Sequence, residues 1–346
     1  MITFKQFISE DEKEVYGFDR FKHIAEWLHT DCAKFLSESG GHPLYRGMKI
    51  FSDEGAPLDA LRISHPENRI PKDSGELFND IFNRAMEKKF GIADIRRKTV
   101  FASGSVNQAK LYGQIFYFFP IGDFKFTYAP DVEDSYEEGQ KLWQNVGNAL
   151  SGHKRDLIRV CPFKIKEDDF ESYGKMAWMV NGYSLRRIFK RASDAGLFKT
   201  LPENPSRDDM FELAGIVSSI IDSDERYFEG EDKDEFYDQL RQALTEWWPL
   251  IYSLTLKTFT NSYQTDTALS DAIKSNVEIF FYSTKGYYVI STQKVKKLYV
   301  DHHTDTPDED GNTGALHNDY HTYKGEEDTV IYEWFINLGK KHGTAD

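Results

Sequence analysis

Three short segments of this 346-residue chain hold residue types that could do chemistry together. Tyr45-Arg46-Gly47 sets an arginine inside an otherwise apolar run from Leu44 to Met48. Ser103-Gly104-Ser105 closes an apolar stretch beginning at Val100 and leads on to Tyr112. Asn276-Val277-Glu278 opens a third apolar run, Ile279 to Tyr282. A guanidinium is a planar fork of donors that binds phosphate or carboxylate oxygens in pairs. A hydroxyl can orient a nearby carboxylate, and a carboxylate can stabilise positive charge developing on a sugar ring. Singly, each segment has a plain structural reading. A strand arginine pairs at a sheet edge, Ser-x-Ser caps a turn, and a glutamate opening a strand is solvated.

Only a fold that gathers distant strands can make one site of them. Apolar residues recur at helical spacing from Phe4 to Leu36, and Gly40-Gly41 with Pro43 ends that run. A short strand is predicted at 43–48, then a polar loop containing Pro57, Pro66 and Pro71. Leu77, Phe78, Ile81, Phe82, Ala85 and Met86 share one helical face, closed by Gly91. Strands are predicted at 99–103 and 114–119, with a helical turn at 107–112 between them. Acidic helical stretches, including 208–221 and 234–259, occupy the chain to about residue 271. Strand character returns at 277–282 and 287–291, joined by Ser283-Thr284-Lys285-Gly286, a good hairpin turn. The tail after Val300 is polar until an apolar element at 330–338, and no internal repeat is present.

Short strands interrupted by helices predict an α+β fold with a largely antiparallel sheet and a long helical insertion. The expected divisions are an N-terminal helical segment (1–42), two halves of a core (43–130 and 271–300), the insertion (131–270) and a tail (301–346).

In order and local context the three segments resemble the Arg–Ser–Glu branch of the ADP-ribosyltransferase superfamily. That branch gathers an aromatic-Arg strand, a Ser-Thr-Ser strand and a Glu-x-Glu or Gln-x-Glu strand around NAD. The resemblance spans about 43–130 and 271–292 and implies a split β core. It implies an NAD-dependent transferase that cleaves the nicotinamide–ribose bond and passes ADP-ribose to a macromolecule. A protein acceptor is expected, with a nucleic-acid acceptor left open. Glu278 would act on the oxocarbenium-like state, Ser103 would orient Glu278, and Asn276 would face the acceptor. Arg46 would bind the pyrophosphate of NAD, with Gly47, Ser105 and Tyr112 around the nicotinamide. Arg69, just ahead of the helix expected from Ser74, is a second candidate for the phosphates.

Two positions depart from the branch: Gly104 replaces Thr, and Asn276 replaces Glu or Gln. An amide can hydrogen-bond an acceptor but cannot act as a general base. The departures shift weight toward an NAD glycohydrolase, or toward a binding or structural protein that keeps the fold without turnover. Divergent motifs with large insertions are common in bacterial toxins and tailed phages, so the resemblance implies a cytoplasmic site of action, the host's if phage-encoded.

Composition narrows the field. Forty-three Lys+Arg against 57 Asp+Glu leave a net charge of −14, which opposes nonspecific binding to nucleic-acid phosphates but permits a local basic groove. No apolar run is long enough to span a membrane, and the first residues lack the pattern of a secretory signal. The 2 cysteines, Cys32 and Cys161, are expected to be buried, reduced and inert. The tail carries Asp301-His302-His303-Thr304-Asp305 and, further on, His317, Asp319 and His321. Their spacing matches no closed metal site, and no metal is expected.

Overall fold

A computed structural model describes residues 18–49, 60–67, 76–132, 135–153, 182–197, 202–222, 233–265, 267–282, 284–304 and 325–340. Seven strands among them form one sheet: β1 (Tyr45–Met48), β2 (Ala60–Ser64), β3 (Val100–Ser103), β4 (Gln114–Pro120), β5 (Lys125–Tyr128), β6 (Glu278–Tyr282) and β7 (Gly286–Ser291). Their order is β2-β7-β4-β1-β3-β6-β5, and every pairing is antiparallel. The described helices are α1 (Phe18–Asp31), α2 (Ala33–Glu38), α3 (Glu76–Phe90), α4 (Ile95–Lys98), α5 (Val106–Leu111), α6 (Ser135–Gly152), α7 (Gly182–Asp194), α8 (Arg207–Asp222), α9 (Lys233–Thr260), α10 (Leu269–Lys274), α11 (Thr292–Thr304) and α12 (Gly325–Leu338). The protein is α+β, as its pattern predicts.

The chain divides into two compact units. One comprises Met1–Arg69, Lys98–Glu133 and Tyr263–Asp346 and holds the whole sheet. The other comprises Ile70–Arg97 and Asp134–Ser262 and is helical where described. Segment 70–97, expected within the first half of the core, thus groups with the helical insertion. Its apolar stripe finds its partner there: Phe78 lies 5.8 Å from Phe259 of α9. Trp143 stacks on Phe189 at 5.1 Å, and Phe189 lies 5.8 Å from Trp248. Trp247 and Trp248 are core residues of this unit.

In the sheet-bearing unit the β1–β3 seam is narrow. One register pair, Tyr45 opposite Ser103, joins β1 to β3, whereas β1 pairs with β4 along its full length. At this seam the sheet bends back on itself. Phe118 of β4 and Phe281 of β6 are three strand spacings apart, about 14 Å in a flat sheet. Their rings are nevertheless 5.2 Å apart. Tyr287 and Phe126 close the same aromatic layer, at 5.1 Å from Phe118 and 6.1 Å from Phe281. On the other side of the sheet, Tyr117 and Phe119 pack against Tyr332 of α12, and Phe119 also meets Phe35 of α2.

Strands β2 and β5 and helix α11 were not among the expected elements. β2 is an edge strand in which Arg62 and Ser64 are exposed and Leu61 and Ile63 half-buried, so it carries little apolar signal. β5 has 4 residues and is held in place by the ladder with β6. Segment 330–338, open between helix and strand, is helical. Ser283 of the expected hairpin turn lies outside the described residues.

Candidate functional site

The three chemistry-bearing strands are consecutive in the sheet: β1 carries Arg46, β3 ends at Ser103, and β6 begins at Glu278. Ser103 and Glu278 are direct cross-strand partners. Paired residues put their side chains on the same side of a sheet, only about 5 Å apart at Cβ. Ser103 is buried and Glu278 half-buried. Tyr45 is the β1 residue in register with Ser103, so Arg46 leaves its strand on the opposite side.

Arg46 therefore enters the aromatic layer inside the bend. Its Nη1 donates to the carbonyl of Phe101, and its guanidinium lies 5.4 Å from the Tyr287 ring. Nε is buried with no hydrogen-bond partner. Burial draws the guanidinium pKa down from its ordinary value, opposed by Tyr287 and Glu278. One of its five donors is used on Phe101, and that bond bridges the narrow β1–β3 seam, where few ladder bonds hold the strands together.

The serines shape the turn after β3. Ser103 Oγ accepts from Ser105 N–H at 3.0 Å and donates to the Asn276 carbonyl at 3.4 Å. Ser105 is the N-cap of α5, its Oγ accepting from Gln108 N–H at 3.3 Å. The Ser-x-Ser motif thus performs the capping role of its plain reading while fastening β3 to the segment before Glu278.

Both glycines are required by packing. A Cβ on Gly104 would stand 1.9 Å from the carbonyl oxygen of Ile273 in α10. A Cβ on Gly47 would stand 1.8 Å from the carbonyl oxygen of Ala109 in α5. The side of Gly47 on which a Cβ would stand is occupied by that helix. At Gly104, α10 runs too close for any side chain.

Asn276 has a similar explanation. It follows the C-cap of α10 with φ 59, the left-handed region that asparagine tolerates best after glycine. Its N–H donates to Ile273 O at 3.1 Å, and its side chain is exposed. Tyr112 caps α5 and is 43% exposed, next to Leu111 at 74%. Arg69 lies outside the described residues, as do Cys161, Asp305, His317, Asp319 and His321.

Cys32 is buried and not in a disulfide, and burial raises its thiol pKa, so it stays protonated. His302 and His303 lie at the end of α11 in an aromatic group with Trp334, Tyr299 and Phe18. Among the described residues no group of His, Cys, Asp or Glu could hold a metal ion. None of their helices is long and apolar enough to cross a membrane.

Sheet and site define an α+β protein with a seven-stranded antiparallel sheet bent at the β1–β3 seam, next to the Ser103–Glu278 pair. No family model, curated protein or solved structure matches the chain.

Proposed function

We propose that this protein cleaves the nicotinamide–ribose bond of NAD and transfers ADP-ribose to a macromolecular acceptor, with Glu278 as the catalytic carboxylate. The observation that carries this reading is the direct pairing of Ser103 with Glu278 beside the strand of Arg46. The narrow β1–β3 seam also supports the split core that the resemblance implies.

The C–N bond breaks with its electron pair leaving on nicotinamide. Glu278 stabilises the positive charge developing on the ribose. An acceptor nucleophile, or water, adds to the anomeric carbon and gives up its proton to solvent. Ser103 keeps the start of β6 in register with β3. Arg46 acts as a positioning residue at the seam. The residues fit NAD only in part, because the cation expected at its phosphates is engaged with Phe101.

That engagement favours a second reading, a binding or structural protein with the same architecture and no turnover. Purified protein incubated with NAD decides between them. Nicotinamide release that is lost in Glu278→Gln supports catalysis. Absence of release together with absence of NAD binding supports the second reading.

A further inference from the structure

Helix α7 of the helical unit buries Leu185, Ile188, Phe189 and Ala192 on one face. Its other face carries Arg186, Arg187, Lys190 and Arg191, spaced so that all four fall in one stripe about 140° wide. Phe189, stacked on Trp143 and packed against Trp248, fixes which way the helix is turned. Arg186, Lys190 and Arg191 are exposed. Lys190 pairs with Asp194 at 2.9 Å, and the described residues offer no ion pair to Arg186, Arg187 or Arg191.

This is unexpected in a chain with 57 acidic against 43 basic residues. An ordinary solvated helix face in such a chain would intersperse its bases with carboxylates. Among the described residues the arginines are instead gathered without neutralising carboxylates, as on a surface that receives negative charge from outside.

We propose that the α7 stripe docks an acidic patch of a partner protein, its arginine forks taking carboxylates in pairs. Two features favour carboxylates over a nucleic acid. The stripe itself carries no aromatic on which bases could stack, since Phe189 is buried. The net charge of −14 repels an extended polyanion, whereas a compact acidic patch feels the stripe within a Debye length of about 8 Å. This inference does not rest on the NAD reading.

The test uses the full chain, a fluorescein-labelled glutamate oligomer short enough to lie within the stripe and a single-stranded oligonucleotide of equal length and charge, read by anisotropy. The glutamate oligomer is expected to bind more tightly at matched ionic strength and to weaken as salt rises. Arg186→Glu with Arg191→Glu should reduce its affinity roughly tenfold or more, while lysines at both positions, which keep the charge but lose the fork, should give a smaller loss. If the glutamate pair lowers the melting temperature, Arg186→Gln with Arg191→Gln reads the same loss. Oligomer binding that is absent, or unchanged in the charge-removing variants, overturns the proposal. Preference for the oligonucleotide overturns it in favour of nucleic acid.

Discussion

Ser103 and Glu278 face one another across the β3–β6 ladder, and the Ser103 hydroxyl also holds the carbonyl of Asn276, 173 positions away in sequence. A single serine thus ties the third motif to the second. Whatever Glu278 does, its position depends on this seam.

If Glu278 acts on charge that develops only in the transition state, Glu278→Gln should leave NAD binding nearly intact. Turnover should fall by roughly two to four powers of ten, or about 3–5 kcal/mol. Calorimetric binding of NAD beside nicotinamide release separates the two quantities. Equal loss of both would mean that the glutamate is merely structural.

Arg46→Lys keeps the charge but loses the planar fork that reaches the Phe101 carbonyl across the seam. Thermal melting should show a loss of about 1–3 kcal/mol from an unsatisfied buried group. A variant with wild-type stability and weakened NAD binding would instead return Arg46 to the pyrophosphate.

Gly104→Ala places a methyl against the Ile273 backbone, and Gly47→Ala places one against that of Ala109. Neither obstacle is a flexible side chain, so each variant should lose about 1–3 kcal/mol or more in denaturant unfolding. Unchanged midpoints would show that α5 and α10 can withdraw.

Asn276→Gly should be close to neutral in stability, and Asn276→Ala should cost about 1–2 kcal/mol, because φ 59 penalises a Cβ. Comparing the two in a transfer assay separates backbone from side chain. Full activity in the glycine variant would leave no role for the amide at the acceptor.

Burial lowers the pKa of His65, partly opposed by its hydrogen bond to the Lys98 backbone. The native state therefore resists protonation, and the unfolded state binds more protons just below the ordinary histidine pKa of about 6.5. Its contribution to stability is complete above that value and declines as pH falls toward the lowered native pKa. His65→Gln should flatten this part of the stability–pH curve, measured by urea unfolding across the window.

Much of the element pattern was legible in the sequence. The apolar runs of β1, β3, β4, β6 and β7 and the helical stripe of Phe78 and Phe82 follow from local periodicity, which a short window captures. β2 and β5 escaped because their strand state comes from pairing with β7 and β6, not from their own residues. Segment 76–97 looked like part of the core because a sequence shows that a helix has an apolar face, not which partner covers it. The chemistry-bearing residues could be named from type and spacing, and their three strands are consecutive in the sheet. Which side of the sheet each occupies was decided only by register. A one-residue offset between Tyr45 and Arg46 sends the arginine into the aromatic layer and leaves Ser103 and Glu278 on the other side. Gly104 and Asn276 read as departures from a motif until α10 is in place. A carbonyl 1.9 Å from where a Cβ would stand, and a left-handed backbone, are properties of packing that no stretch of sequence displays.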